Sequence, residues 1–227
     1  MVPVIGIAGQ LGNGKDVLAD YLVKRLNDGI YNHRGIELVP EQLWQRTAFA
    51  NAVKQVYQDA FAVDREFVEK WKRIPEPPPG MKMNVRKGLQ FIGDGFRQMK
   101  ENIWIEIALR GHQRKVISDS RYINEAKAIA AQGGLMIVLW RPGFENSDPN
   151  PSESQILPVV QWCLDTHQDG PLHWTYDYEL YPPPDGIQAY NYFMRNDGSI
   201  EDLYAKVDKE LLPFMEARYA ENFGRML

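Results

Sequence analysis

The stretch "GQLGNGKDVLADYL" (residues 9–22) holds Gly9, Gly12, Asn13, Gly14 and Lys15 in an order that could wrap a phosphate. In the pattern G-x-x-x-x-G-K-[ST], glycines let backbone N–H groups surround phosphate oxygens while the lysine reaches the β and γ groups. Gly9, Gly14 and Lys15 satisfy the pattern, and Asp16 stands where it asks for serine or threonine. The run before it, "VPVIGIAG", reads as a buried strand and the residues after it as a helix. The loop therefore meets a helix N-terminus, where the dipole favours anions. Asp16 suits a first helical turn in any case; in a phosphate site its carboxylate can hold a magnesium-bound water where a hydroxyl normally binds the metal. A glycine turn with a helix cap is the plainer alternative.

A second group lies in "NVRKGLQFIGDGFRQM". Arg86, Gln90, Gly93 and Arg97 are spaced four, three and four apart, so on a helix they form one stripe beside an apolar stripe of Leu89, Ile92, Phe96 and Met99. Two arginines on one face suit planar recognition of a phosphate, and a solvated polar face is the alternative. Trp104, a turn or two downstream, is either a core residue or a platform for a base. Third, "VISDSRYINE" puts Asp119 and Arg121 at the carboxyl end of a strand, where ligands bind in open α/β sheets; an ion pair closing the turn is the other reading. Arg141 in "RPG" likewise follows a strand.

The elements that must hold these residues alternate. Strands are expected at "VPVIGIAG", "RTAFA" (46–50), "KVISDSR" (115–121), "LMIVLWRPG" (135–143) and within 190–199. Helices are expected through Val17, Leu18, Tyr21, Leu22 and Leu26 up to a break at Asn27-Asp28-Gly29, through Val53, Val56, Tyr57 and Phe61, and over 84–112. Two more run through Ala126, Ile129 and Ala130, and after a Ser199/Asp202 capping box with Ile200, Leu203, Val207 and Leu211 inside. This predicts a parallel sheet with helices on both faces. Residues 143–189 are rich in Pro, Asp and aromatics, with one short helix expected around "ILPVVQWCL", and read as a lid or an inserted surface segment.

Bulk composition agrees with one folded domain: 227 residues, 44% hydrophobic and 25% charged. A net charge of -4 gives no general attraction to nucleic acid. No apolar run reaches the length of a membrane span, and the single cysteine, Cys163, excludes an internal disulfide and fits a reducing cytoplasm. The four histidines show no metal-ligand spacing.

With these residues in view, the chain resembles the phage deoxynucleoside monophosphate kinases, a branch of the P-loop nucleoside monophosphate kinases, through most of residues 2–154 and 190–212. The Gly-Lys-Asp ending of the loop, "FANAVKQV" (49–56), "VRKGLQFIGDGFRQ" with Trp104 downstream, "DSRYINEAKAI", "RPG...SDPNPSE" and "RNDGSIEDL" carry the likeness in order. Val17 stands where the family often has threonine, Asn150-Pro151 replaces a histidine-containing stretch, and 155–189 has no counterpart.

The resemblance implies a three-layer α/β P-loop kinase fold, with a parallel sheet of about five strands flanked by helices. Residues 1–227 would form a single domain with an acceptor-binding helical region at about 50–112 and a lid or insertion at about 143–189. It implies ATP-dependent phosphorylation of deoxynucleoside 5'-monophosphates to diphosphates, with Mg²⁺, in the cytoplasm (the host's, if phage-encoded), with no nucleic acid or membrane partner and room for a homodimer. By resemblance, Gly9, Gly12, Asn13, Gly14, Lys15, Asp16 and Val17 hold the ATP phosphates, and Lys15, Arg97, Arg121 and Arg141 act on the transferring phosphoryl group. Arg86, Gln90, Arg97, Trp104, Asp119, Arg121 and Glu125 take the acceptor, Asn196 and Gly198 lie on the adenine side, and Asp16 and Asp119 orient Mg²⁺ through water. The same cradle serves kinases of other phosphorylated small molecules, such as dephospho-coenzyme A or phosphomevalonate. A nucleotide-dependent switch or ATPase would carry an Asn-Lys-x-Asp sequence or a strand-ending Asp-Glu pair, and the sequence has neither.

Overall fold

The computed structural model describes residues 4–34, 43–111, 113–144, 154–166, 168–172 and 182–223. The chain divides into two compact units, one of Met1–Thr47 with His112–Leu227 and one of Ala48–Gly111.

In the first unit the strands are β1 (Val4–Ala8), β2 (Trp44–Thr47), β3 (Arg114–Ser120), β4 (Leu135–Trp140), β5 (Gly170–Pro171) and β6 (Tyr192–Arg195). They form one sheet in the order β2-β3-β1-β4-β6-β5, parallel throughout except for the antiparallel β5–β6 pair. All five residues of β1 are buried, which requires both sheet faces to be covered. On one face Ile5, Ile7, Ile137, Leu139, Tyr192 and Met194 pack with Leu18, Leu22 and Leu26 of helix α1 (Lys15–Arg34). Leu203 of α8 (Ile200–Lys206), Val207 and Leu211 of the π-turn Val207–Leu211, and Met215 of α9 (Leu212–Phe223) complete that core. On the other face Gly6 meets Met136 and Ile129 so closely that a Cβ would fall 2.2 Å from Met136 Sδ and 2.7 Å from Ile129 Cδ1. Ile129 belongs to α6 (Ile123–Ala131). The sheet thus lies between two helical layers, as the alternating pattern predicts.

Several boundaries differ from the sequence reading. Among the described residues the sheet has six strands because Gly170–Pro171 adds a two-residue edge, where a proline without an N–H is tolerated. The strand expected at 46–50 lies at Trp44–Thr47, since buried Trp44 exchanges two hydrogen bonds with Asn27: its N–H donates to Asn27 Oδ1 at 2.8 Å and its carbonyl accepts from Asn27 Nδ2 at 3.1 Å. The same contact explains why α1 passes the expected break at 27–29 and runs to Arg34. A mid-helix glycine costs only about 1 kcal/mol, and Asn27 is a clamp on β2 here. β4 stops at Trp140, two residues before Pro142. The Ser199/Asp202 box is present: Ser199 Oγ accepts from Asp202 N at 3.1 Å and Ser199 N donates to Asp202 Oδ2 at 2.9 Å. Ile200, expected inside, is 52% exposed on the first turn of that helix.

The expected short helix is α7 (Leu157–Asp165), which buries Val159, Val160, Trp162 and Cys163. With β5 extending the sheet, these parts of the segment read as lid or insertion are members of the first unit's core and sheet. Trp174, Tyr176, Tyr178 and the stretch 145–153, which includes Asn150 and Pro151, lie outside the described residues.

The second unit consists of α2 (Ala50–Phe61), α3 (Arg65–Trp71), α4 (Val85–Met99) and α5 (Ile103–Ala108). The continuous helical pattern at 84–112 is therefore two helices. α3 was not expected from periodicity; it starts at Asp64, whose carboxylate accepts from Phe67 N at 2.7 Å. Asn84 caps α4 by accepting from Lys87 N at 2.9 Å. Leu89 and Ile92 pack against Tyr57, Val68 and Val85. Of the rest of the expected apolar faces, Phe61 and Met99 end their helices at 50% and 81% exposure, and Phe96 is 37% exposed.

Candidate active site

β1 ends at Ala8 and α1 begins at Lys15, so residues 9–14 carry the chain from the carboxyl end of an inner strand to a helix N-terminus. Gly9, Gly12 and Gly14 have φ of 152°, 88° and 92°, values that strain any residue with a Cβ. A Cβ on Gly9 would also fall 2.3 Å from Leu139 O. Lys15 is 8% exposed, and its ammonium curls over the loop to donate to Gly9 O and Gln10 O, each at 2.6 Å. Asn13 Nδ2 donates to Leu139 O at 3.0 Å, tying the loop to the end of β4. Its Oδ1 is buried and has no partner among the described residues. Val17 is partly buried against the sheet core, so its side chain belongs to packing and only its backbone can face a phosphate.

Asp16 sits in a network that the sequence reading missed. Its Oδ1 accepts from Ser118 Oγ at 2.9 Å and from Arg46 Nη2. Arg46 also grips Asp20 with Nη1, at 2.8 Å to Oδ1 and 2.7 Å to Oδ2, and its Nε lies 3.4 Å from Ser118 Oγ. The available signal was the i, i+4 pair Asp16 and Asp20, two carboxylates on one helix face that call for a cation. Ser118 and Asp119 lie where the β1–β3 register slips between Gly6 and Ala8, and a bulge of this kind re-aims side chains at a strand end.

Arg121 and Glu125 follow β3. Glu125 is 3% exposed and its Oε2 accepts from the backbone N–H groups of Arg121 at 2.8 Å and Tyr122 at 3.1 Å. It therefore shapes the turn that presents Arg121, through the first turn of α6. Asp119 and Arg121 are both half-buried. Beyond β4, the Arg141 guanidinium lies 4.3 Å from the centroid of the Phe144 ring, and that ring meets the tip of the phosphate loop, where a Cβ on Gly12 would be 3.1 Å from Phe144 Cδ1. Beyond β6, Asn196 is 7% exposed and its amide donates to Asn13 O at 2.9 Å. Gly198 stands beside the cap of α8, 2.5 Å from Asp202 Oδ2 at its would-be Cβ.

In the second unit, α4 carries Arg86, Gln90, Gly93 and Arg97 along one stripe, with Arg86 exposed and Gln90 and Arg97 half-buried. Gly93 is buried on this stripe, and the nearest atom to its would-be Cβ is Arg97 Nη1 at 3.4 Å. Arg97 Nη1 also lies 3.3 Å from Asp94 Oδ1. Trp104 is 2% exposed, its indole N–H donates to Gly93 O at 2.9 Å and its ring lies 5.3 Å from that of Phe96. Of its two readings, these contacts favour the core residue over the platform for a base.

A sheet with β1 between β3 and β4, and a glycine-lysine loop between β1 and α1, defines an α/β protein of the three-layer P-loop kinase fold. The chain is similar to a protein of Acanthamoeba polyphaga mimivirus named "Putative deoxynucleotide monophosphate kinase", with 28% identity over 181 residues, covering 71% of this chain and 86% of that one. Among solved structures it is similar to a shikimate kinase from Acinetobacter baumannii in complex with shikimate, at a TM-score of 0.39 and 12% identity over 94% of this chain and 95% of the other. A second is a sugar kinase from Janibacter sp., at a TM-score of 0.31 and 12% identity over 93% and 95%. No family model matches the chain.

Proposed function

We propose that the protein transfers the γ-phosphoryl group of ATP to a deoxynucleoside 5'-monophosphate, giving ADP and the deoxynucleoside diphosphate. The observation that carries this reading is the loop at residues 9–15, in which a lysine at a helix N-terminus is held over the loop by two backbone carbonyls. The named mimivirus relative supports the choice of acceptor. The acceptor's phosphate oxygen is already an anion and serves as the nucleophile, so no general base is needed; alignment and charge neutralisation carry the catalysis. Lys15 leaves its two carbonyls and neutralises the transferring group, and Arg121 and Arg141 bind phosphate charge at the carboxyl edge of the sheet. The acceptor phosphate is the ligand we assign to Arg86, Gln90 and Arg97 on α4.

Among the described residues no cluster of three or more His, Cys, Asp or Glu side chains could cage a metal. Asp16 Oδ2 accepts no hydrogen bond among the described residues, and the side chain is 71% exposed. One carboxylate oxygen beside a serine hydroxyl fits Mg²⁺, which keeps waters and takes phosphate oxygens as its other ligands. Bound there, the ion would neutralise charge on the β and γ phosphates. Asp16, and Asp119 on the same strand end as Ser118, would accept hydrogen bonds from its waters.

The test is direct separation of ADP and diphosphate products across all ribo- and deoxyribonucleoside monophosphates, with dephospho-coenzyme A and phosphomevalonate as competing acceptors. Deoxynucleotide turnover is the expected result. Lys15→Ala should lower kcat by several hundredfold or more, about 3–4 kcal/mol. A folded variant with more than about a tenth of the wild-type rate, a loss below about 1.4 kcal/mol, would overturn the lysine's role.

A further inference from the structure

A carboxylate in the first turn after a phosphate loop raises an electrostatic difficulty. Asp16 and Asp20 lie one turn apart on α1, and two negative charges beside a phosphate site would repel the nucleotide unless a metal ion arrived with it. The structure answers this with one side chain. Arg46, on β2, binds Asp20 through both carboxylate oxygens and Asp16 through Oδ1, while Ser118 holds that same Oδ1 from β3. The Arg46 side chain is 35% exposed, so its attraction is only partly screened. Its planar fork meets two carboxylates at once, which a lysine ammonium would match in charge but not in geometry.

We propose that Arg46 is the positioning and charge-balancing residue that allows Asp16 to stand in the phosphate loop. It halves the net charge of the Asp16–Asp20 pair and, with Ser118, holds Asp16 by Oδ1, leaving Oδ2 without a hydrogen bond among the described residues. This inference rests on the reading of the loop as a site for nucleotide phosphates. Its consequence is specific: Arg46 matters most for nucleotide that comes without a metal ion, because a bound divalent cation supplies the same neutralisation.

The experiment is ATP binding by calorimetry, in EDTA and in saturating Mg²⁺, for wild type, Arg46→Met, Arg46→Lys, Asp16→Asn and the Asp16→Asn/Arg46→Met double variant. At a separation of some 6 Å, loss of one compensating charge should weaken metal-free ATP binding by about tenfold, with Coulomb bounds of roughly three- to a hundredfold. In Mg²⁺ the loss should fall below about threefold. Arg46→Lys should keep most of the wild-type affinity, and the Asp16→Asn/Arg46→Met double variant, whose net charge at this position equals that of wild type, should regain metal-free affinity to within about threefold of wild type. A purely structural arginine would lose equally in EDTA and Mg²⁺, or leave the double variant as weak as Arg46→Met, and either result overturns the proposal. Should Arg46→Met fail to fold, Arg46→Gln takes its place in the same two conditions: a loss of metal-free ATP affinity of about threefold or more that shrinks in Mg²⁺ is expected, and an unchanged affinity overturns the proposal. Wild-type protein that binds no ATP in either condition overturns the nucleotide reading itself and this inference with it, whereas ATP binding indifferent to Arg46 overturns only the inference.

Discussion

The side-chain amide of Asn196 donates to the main-chain carbonyl of Asn13 at 2.9 Å, so the loop after β6 is fastened to the middle of the phosphate loop. Gly14 leaves the room for it: a Cβ there would lie 2.8 Å from Asn196 Nδ2. Asn196→Ala should lower ATP affinity by roughly fivefold, the worth of one buried hydrogen bond of about 1 kcal/mol. Asn196→Asp should do worse, because it sets a second acceptor against the Asn13 carbonyl. Calorimetric titration of both variants checks the order, and an aspartate variant that binds as well as wild type would remove the strut from the account.

Gly93→Ala separates stability from function on α4. Alanine is a better helix former than glycine by about 1 kcal/mol, and the new methyl would meet only Arg97 Nη1, at 3.4 Å. The variant should melt no lower than wild type while its KM for the monophosphate rises several-fold and its KM for ATP stays put. Equal changes in both KM values would detach Arg97 from the acceptor.

Acid sensitivity is expected from Glu69. Burial opposes its charge, but hydrogen bonds from Lys54 and Lys72 overcome this and bring it from an ordinary value of 4.5 down to about 2. A carboxylate depressed in the folded state contributes stability that is complete above its unfolded value and is lost as pH falls through the folded one. The contribution should therefore fade between pH 4.5 and about 2. Melting temperature against pH over that window should fall less steeply in Glu69→Gln than in wild type, and parallel slopes would refute the assignment.

Cys163 is fully buried, and burial pushes its thiol up to about 12. The thiolate is the reactive form, so a disulfide reagent at neutral pH should leave the native protein unlabelled over hours and titrate one thiol once denaturant is added. Rapid labelling of the native state would show that α7 opens.

The sequence made the first unit legible because its signals are local and periodic. The apolar run "VIGIA", the three loop glycines with Lys15, and the Ser199/Asp202 box each name an element and its boundary from a few adjacent residues. What escaped were relations between distant residues. Arg46 and Ser118 are 72 positions apart and Asn13 and Asn196 are 183 apart, and neither pair leaves a mark in spacing. Trp104 was ambiguous for the same reason. Only its hydrogen bond to Gly93 O, made across a turn between two helices, separates a core tryptophan from an exposed stacking surface. The break expected at Asn27 failed because a turn-forming side chain found a strand backbone to bind.

The inner position of β1 has a consequence for how the molecule comes into being. Both of its neighbours lie more than a hundred residues further along the chain, Ile5 pairing with Val116 on one side and Leu135 on the other. At a synthesis rate of about 5–20 residues per second, this strand leaves the ribosome roughly 6–22 s before it has anything to pair with. Until then a wholly apolar segment waits with both edges open, and long-range parallel pairing is itself slow. Yield in a cell should therefore depend on holdase chaperones acting in that interval more than on the stability of the finished sheet.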